Sequence, residues 1–273
     1  MTQAPQPTAA GAAAPERARV MAITSGKGGV GKTFLAANLA MALATRGERV
    51  LVLDADLGLA NLDVVLNLAP KVTLHDVFTG KAALDDAVLQ APGGFSVLLA
   101  GSGLVEYSRL TAEVRQQLVD VIATLAPRFD RILLDTGAGI SDVVLYALSL
   151  ADEVLVVVTP EPTSMTDAYA TIKVLALQEP GRRDVRLVVN QTSRSGEGRA
   201  VRGQLALVVD RFVTPQLPPG SAPIKLDLLG EVPTDPTVRE SVQKRRLLLE
   251  LAPGCAAARA VHLIAQRLQG SAN

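Results

Sequence analysis

The chain has 273 residues, 48% of them hydrophobic, and its 27 basic and 27 acidic side chains leave no formal net charge. That supplies a large core but no overall field to attract nucleic acid. Apolar runs such as 154–158 fall far short of the ~20 residues of a membrane helix. The single cysteine, Cys255, cannot form an internal disulfide or a metal cage alone, so a reducing cytoplasm is the expected setting. In chain order, residues 1–18 read as a disordered Ala- and Pro-rich tail without the apolar stretch of a signal peptide. Residues 19–268 read as one domain and 269–273 as a flexible end.

The domain opens with a buried strand at 18–24, then a glycine-rich loop, then a helix at 32–46 that stops before Gly47. Further strands are expected at 50–54, 95–99, 131–135, 153–159 and 185–190, each continuously apolar and each followed by a helical pattern. A strand end lies at 230–235, and an amphipathic helix at 254–268 carries Val261, Ile264, Ala265 and Leu268 on one face. That face lacks Phe and Trp and has little cationic charge around it, so it is expected to pack on the core and not on a lipid surface. Strands apolar on both faces, alternating with helices, predict an α/β fold. Its form is the three-layer P-loop NTPase arrangement, a mostly parallel twisted sheet with helices on both sides.

The chemistry concentrates where strands end. Gly26-Lys27-Gly28-Gly29-Val30-Gly31-Lys32-Thr33, followed by Phe34, fits a phosphate-binding loop. Its glycines let successive N–H groups turn inward, and the following helix adds its positive N-terminal end. Lys32 is expected on the β- and γ-phosphates and Thr33 on Mg²⁺, with Lys27 as an unusual second lysine. Strand 50–54 runs into Asp54-Ala55-Asp56 and strand 131–135 ends in Asp135-Thr136-Gly137-Ala138-Gly139. Acids at those positions suit a hydrated metal and an attacking water, and Gly137 and Gly139 suit a segment that moves when the terminal phosphate leaves. Ser141 is expected to cap a helix at 142–150. Asn190 and Pro233, at two strand ends, are candidates for reading the edge and covering the face of adenine.

KGGVGKT with its early lysine, DADLGLANLD at 54–63, LLDTGAG at 133–139 and VTPEPTSMTDAYATIKVL at 158–175 resemble the MinD/ParA group of deviant Walker ATPases. The longer strings, among them DADLGLANLDVVLNLAPKVTLHDVFTG, APGGFSVLLAGSG and VPTDPTVRESVQKRR, are similar to the FlhG/FleN type of flagellar-number regulators. The resemblance spans about residues 19–250 and implies a monomer that forms a homodimer around ATP, with ATP and Mg²⁺ as cofactors. It implies that Lys27 reaches the partner's nucleotide, that Lys32 and Thr33 serve phosphates and metal, and that Asp56 orients water. Asp54 and Asp135 would support the metal. Implied partners are a signal-recognition-type GTPase, a flagellar transcription regulator or a basal-body component. The segment 15–20 lacks the DQAxxLR-like motif by which some members stimulate that GTPase.

Two other roles within the group stay open, cell-division-site positioning and chromosome or plasmid positioning, as does a metabolic ATP-using ligase of the same fold. A DNA-segregating member needs a basic surface, and the clusters at 182–186 and 244–246 are small. An iron–sulfur carrier needs paired cysteines. The expected location is the cytoplasm, with attachment to the inner face of the membrane or the cell pole left open.

Overall fold

A computed structural model describes residues 17–57, 61–101, 110–178 and 182–270. The first half runs β1 (Arg19–Ser25), α1 (Lys32–Ala44), β2 (Val50–Ala55), α2 (Leu62–Leu66), α3 (Leu74–Phe78), α4 (Leu84–Ala87), β3 (Val88–Gln90), β4 (Ser96–Leu98) and α5 (Ala112–Leu125). The second runs β5 (Arg131–Ala138), α6 (Asp142–Ser149), β6 (Glu153–Val158), α7 (Pro162–Gln178), β7 (Asp184–Thr192), α8 (Glu197–Phe212), β8 (Lys225–Pro233), α9 (Pro236–Gln243), α10 (Leu248–Leu251) and α11 (Ala256–Gly270).

The sheet has the order β3-β4-β2-β5-β1-β6-β7-β8, and every neighbouring pair is parallel except the antiparallel β3–β4 pair. The expected three-layer fold is therefore present. Its logic is visible in the alternation along each strand. Val20 and Ala22 of β1, Leu51 and Leu53 of β2 and Ile132 and Leu134 of β5 join the core formed with α5, α6, α7 and α8. Met21 and Ile23, Val50 and Val52, and Leu133 face the other way, onto α1 and α11. A period of two with apolar residues at both phases can only be satisfied between two helical layers.

Every strand expected from the sequence is present, with shifts of one or two residues at most ends. β5 is the exception: it continues three residues past Asp135 to Ala138, with a register break opposite Ile23–Ser25. The short edge strand β3 was not foreseen, because three residues carry no readable alternation. Ser141 caps α6 as expected, accepting from Val144 N at 3.4 Å. Of the expected tail, residues 1–16 lie outside the described residues, whereas Arg17 pairs with Asp152 and Ala18 is buried. Likewise α11 extends through Gln269 and Gly270, and 271–273 lie outside the described residues. Val261, Ile264, Ala265 and Leu268 are all buried, as the amphipathic pattern required. Among the described residues no helix is long and apolar enough to cross a membrane.

Candidate functional site

The loop between β1 and α1 is held by close backbone approaches that demand glycine. Gly31 caps the N-terminus of α1 with φ 92°, a left-handed conformation that L side chains rarely adopt. A Cβ there would also stand 2.5 Å from Asn190 Nδ2. At Gly26 a Cβ would lie 2.2 Å from the backbone of Asp167, so α7 is seated directly against the start of the loop. Gly28 and Gly29 are exposed, Val30 is buried, and Phe34 anchors the first turn of α1 in the core.

The two lysines have opposite environments. Lys32 is only 9% exposed, and burial lowers its pKa, opposed by the negative charges of Asp135 and Asp56. Lys27 stays at the rim, where its Nζ donates to Glu161 Oε2 at 2.8 Å and Thr163 Oγ1 at 3.1 Å, just ahead of and within the first turn of α7.

Across the sheet the register sets Asp54 of β2 directly beside Asp135 of β5, and both are buried. Burial raises the Asp135 carboxyl to about 6, a shift reinforced by Asp56 and opposed by a hydrogen bond from Thr33 and the charge of Lys32. Asp54 is raised well above the usual carboxylate range, first by burial and then by the neighbouring charge of Asp135. It accepts backbone hydrogen bonds from Asp56 and Leu62, yet Asp54 Oδ2 and Asp135 Oδ1 are buried without a hydrogen-bond partner. Asp56 is half-buried, and its carboxylate lies over Gly137, where an added Cβ would meet Asp56 Cγ at 3.4 Å. Two carboxylates with unpartnered oxygens, beside a hydroxyl and an ammonium, form a donor set that a hydrated divalent cation fits.

Asn190 is 7% exposed and its amide is directed at the loop. Nδ2 donates to Val30 O at 2.7 Å and Oδ1 accepts from Gln191 N at 2.9 Å. The expected adenine contact would use the second Nδ2 hydrogen and the remaining lone pair of Oδ1. Pro233, half-buried, ends β8 opposite Thr192 of β7, so it and Asn190 close neighbouring strands at the same edge of the sheet. Sequence reasoning did not single out Glu161, Thr163 or Asp167. The proline-flanked Glu161 after β6 was the available signal, but only the tertiary fold brings it to Lys27.

Loop, buried lysine and strand-end acids on one edge of a parallel sheet define a class: the P-loop nucleotide-binding proteins. A family model described as an AAA domain, AAA_31, matches residues 18–180. The chain is 42% identical over 250 residues to the antiactivator FleN of Pseudomonas aeruginosa, covering 92% of this chain and 86% of that one. It is 34% identical to the flagellum site-determining protein YlxH of Helicobacter pylori over 86% of this chain and 76% of the relative. The septum site-determining protein MinD of Pyrococcus horikoshii, solved with Mg-ADP, superposes with a TM-score of 0.74 at 28% identity, covering 94% of this chain and 98% of that chain. This protein belongs to the MinD/ParA family of P-loop ATP-binding proteins, in its FleN/FlhG branch.

Proposed function

We propose that this protein is an ATP-driven dimerisation switch that hydrolyses ATP slowly and regulates flagellar number or placement. The flagellar assignment rests on its likeness to FleN and YlxH. The switch rests on one observation above the others, the division of labour between the two lysines: Lys32 is buried against the strand-end acids, while Lys27 stays at the exposed rim.

In this reading the glycine loop and Lys32 hold the triphosphate. Thr33, Asp54 and Asp135 would hold Mg²⁺ and its waters, and the ion would supply charge neutralisation at the phosphates. Asp56, the half-buried member of the acid group, orients the attacking water. Asn190 and Pro233 flank the base. The Lys27–Glu161 pair, more than a third exposed on both sides, is worth little and can be exchanged for a phosphate of a facing subunit. Dimerisation then completes each site, and loss of the terminal phosphate removes the reason to stay paired. Flagellar proteins, among them the GTPase, transcription regulator and basal-body components named above, are the partners that would recognise the dimer. The cytoplasm is the proposed location.

Light scattering tests the switch. The Asp56→Ala variant in Mg·ATP should have twice the mass it has in ADP, and the added substitution Lys27→Ala should restore the monomer. A mass that ignores the nucleotide would discard the dimerisation mechanism and favour a metabolic ATP-using enzyme.

A further inference from the structure

The sheet ends on one side in the three-residue β3 and on the other in β8, nine residues long with β7 on one flank and, among the described residues, no strand on the other. Long edge strands invite pairing with another chain. Along this one runs a groove of about 690 Å³ between α8 and α11. Its walls are fixed by close contacts. A Cβ on Gly230 would stand 2.6 Å from Ile264 of α11, and a Cβ on Gly198 would stand 2.7 Å from Glu231 Oε2.

The charge in the groove has one dominant sign. Arg199 and Arg202 enter from α8 and Arg267 from α11. Two of these guanidiniums are oriented by β8 itself: Arg202 Nε donates to Leu226 O at 3.0 Å and Arg267 Nη1 to Leu229 O at 2.6 Å. Against them stand two carboxylates. That of Glu231 is already engaged, accepting from Gly196 N at 2.8 Å and Gly198 N at 2.7 Å at the start of α8, which leaves Asp227. Leu263, 57% exposed, adds an apolar wall.

We infer that the β8 groove is a docking site for an acidic segment of a partner protein, bound in extended conformation with its carboxylates on Arg199 and Arg202 and an apolar side chain on Leu263. Guanidinium forks match carboxylates in two-point contacts, and the bond to a strand carbonyl holds the Arg202 fork before the partner arrives. Extended segments lie naturally along an open strand edge, where alternate residues face one way. None of the phosphate-loop residues lines the groove.

A fluorescein-labelled decapeptide of alternating Glu and Val serves as the probe, read by fluorescence anisotropy against the full chain, with a Lys–Val peptide of the same length as control. The Glu–Val peptide should bind, weaken with added salt, and lose at least about tenfold in affinity on Arg199→Glu with Arg202→Glu. Arg199→Glu alone, at an exposed position, should account for part of that loss with no risk to folding, and Arg211→Glu, on the same helix but outside the groove, should change it less than about twofold. The inference falls if the Glu–Val peptide does not bind, if the Lys–Val peptide binds equally, or if the groove substitutions leave binding unchanged. Full displacement of the peptide by millimolar inorganic phosphate would also overturn it, in favour of a small-anion site.

Discussion

The two edges of the central sheet treat charge in opposite ways. At the edge where strands begin, charges are matched: Arg131, 3% exposed, meets Glu48 at 2.9 Å, Arg186 meets Glu153 at 2.8 Å, and Arg49 meets Asp130 at 2.7 Å. Where the strands end, Asp54 and Asp135 stand side by side with one oxygen of each unpartnered, and the charge of Lys32 on α1 only partly offsets the effect of burial on Asp135. The first arrangement holds the protein together. The second is held in place by the rest of the fold and costs stability until something with positive charge arrives.

Removing the matched partner should therefore do the most damage. Arg131→Met strips Glu48 of its partner near the buried strand starts, while Glu153 keeps Arg186, and should lower unfolding free energy by about 3–5 kcal/mol in urea titrations, as broken buried pairs do. A loss under about 1 kcal/mol would erase the contrast between the edges. At the opposite edge Lys32→Ala should cut ATP turnover by about 10²–10³, measured as phosphate release, while costing little stability, because the lysine's role is toward the ligand.

A third experiment reads the unmatched acids directly. Folded Asp135 holds its proton up to about pH 6 whereas the unfolded carboxyl releases it near 3.8, so the stability this group contributes is fully present below 3.8 and is lost as pH rises through 6. The nucleotide-free protein should thus gain stability as pH falls from 7 toward 4.5, by about 2 kcal/mol over that range. Asp135→Asn should flatten the slope and stabilise the nucleotide-free protein at neutral pH. Matched acids do the reverse: Asp130 is held low by Arg49 and contributes only above its own titration range, so thermal melts between pH 4.5 and 7 separate the two edges. The smallest change belongs to Lys27→Ala, which should alter stability by less than about 0.5 kcal/mol, since its pair with Glu161 is solvated, while abolishing the ATP-dependent dimer.

Much of this was legible before the fold was known. The loop, the strands that flank it and the acids at their ends could be read because each depends on neighbours in sequence: glycine where φ is positive, apolar runs where both faces are covered, polar residues where a strand stops. That legibility ended at contacts between distant segments. Glu161 stands 134 residues from Lys27, and Asn190 stands 160 residues from the Val30 carbonyl it binds, so no spacing could announce either pair.

The sequence by itself determined the class of fold, the phosphate loop and the identity of the acids, since backbone conformation and hydrophobic periodicity are local properties. Only the tertiary structure decided that Asp54 and Asp135 share a register and leave oxygens unpartnered, that Lys27 rests on α7, and that β8 forms an open, arginine-lined edge. Those facts depend on strand order and on which helix covers which face, and both are set by packing of the whole chain.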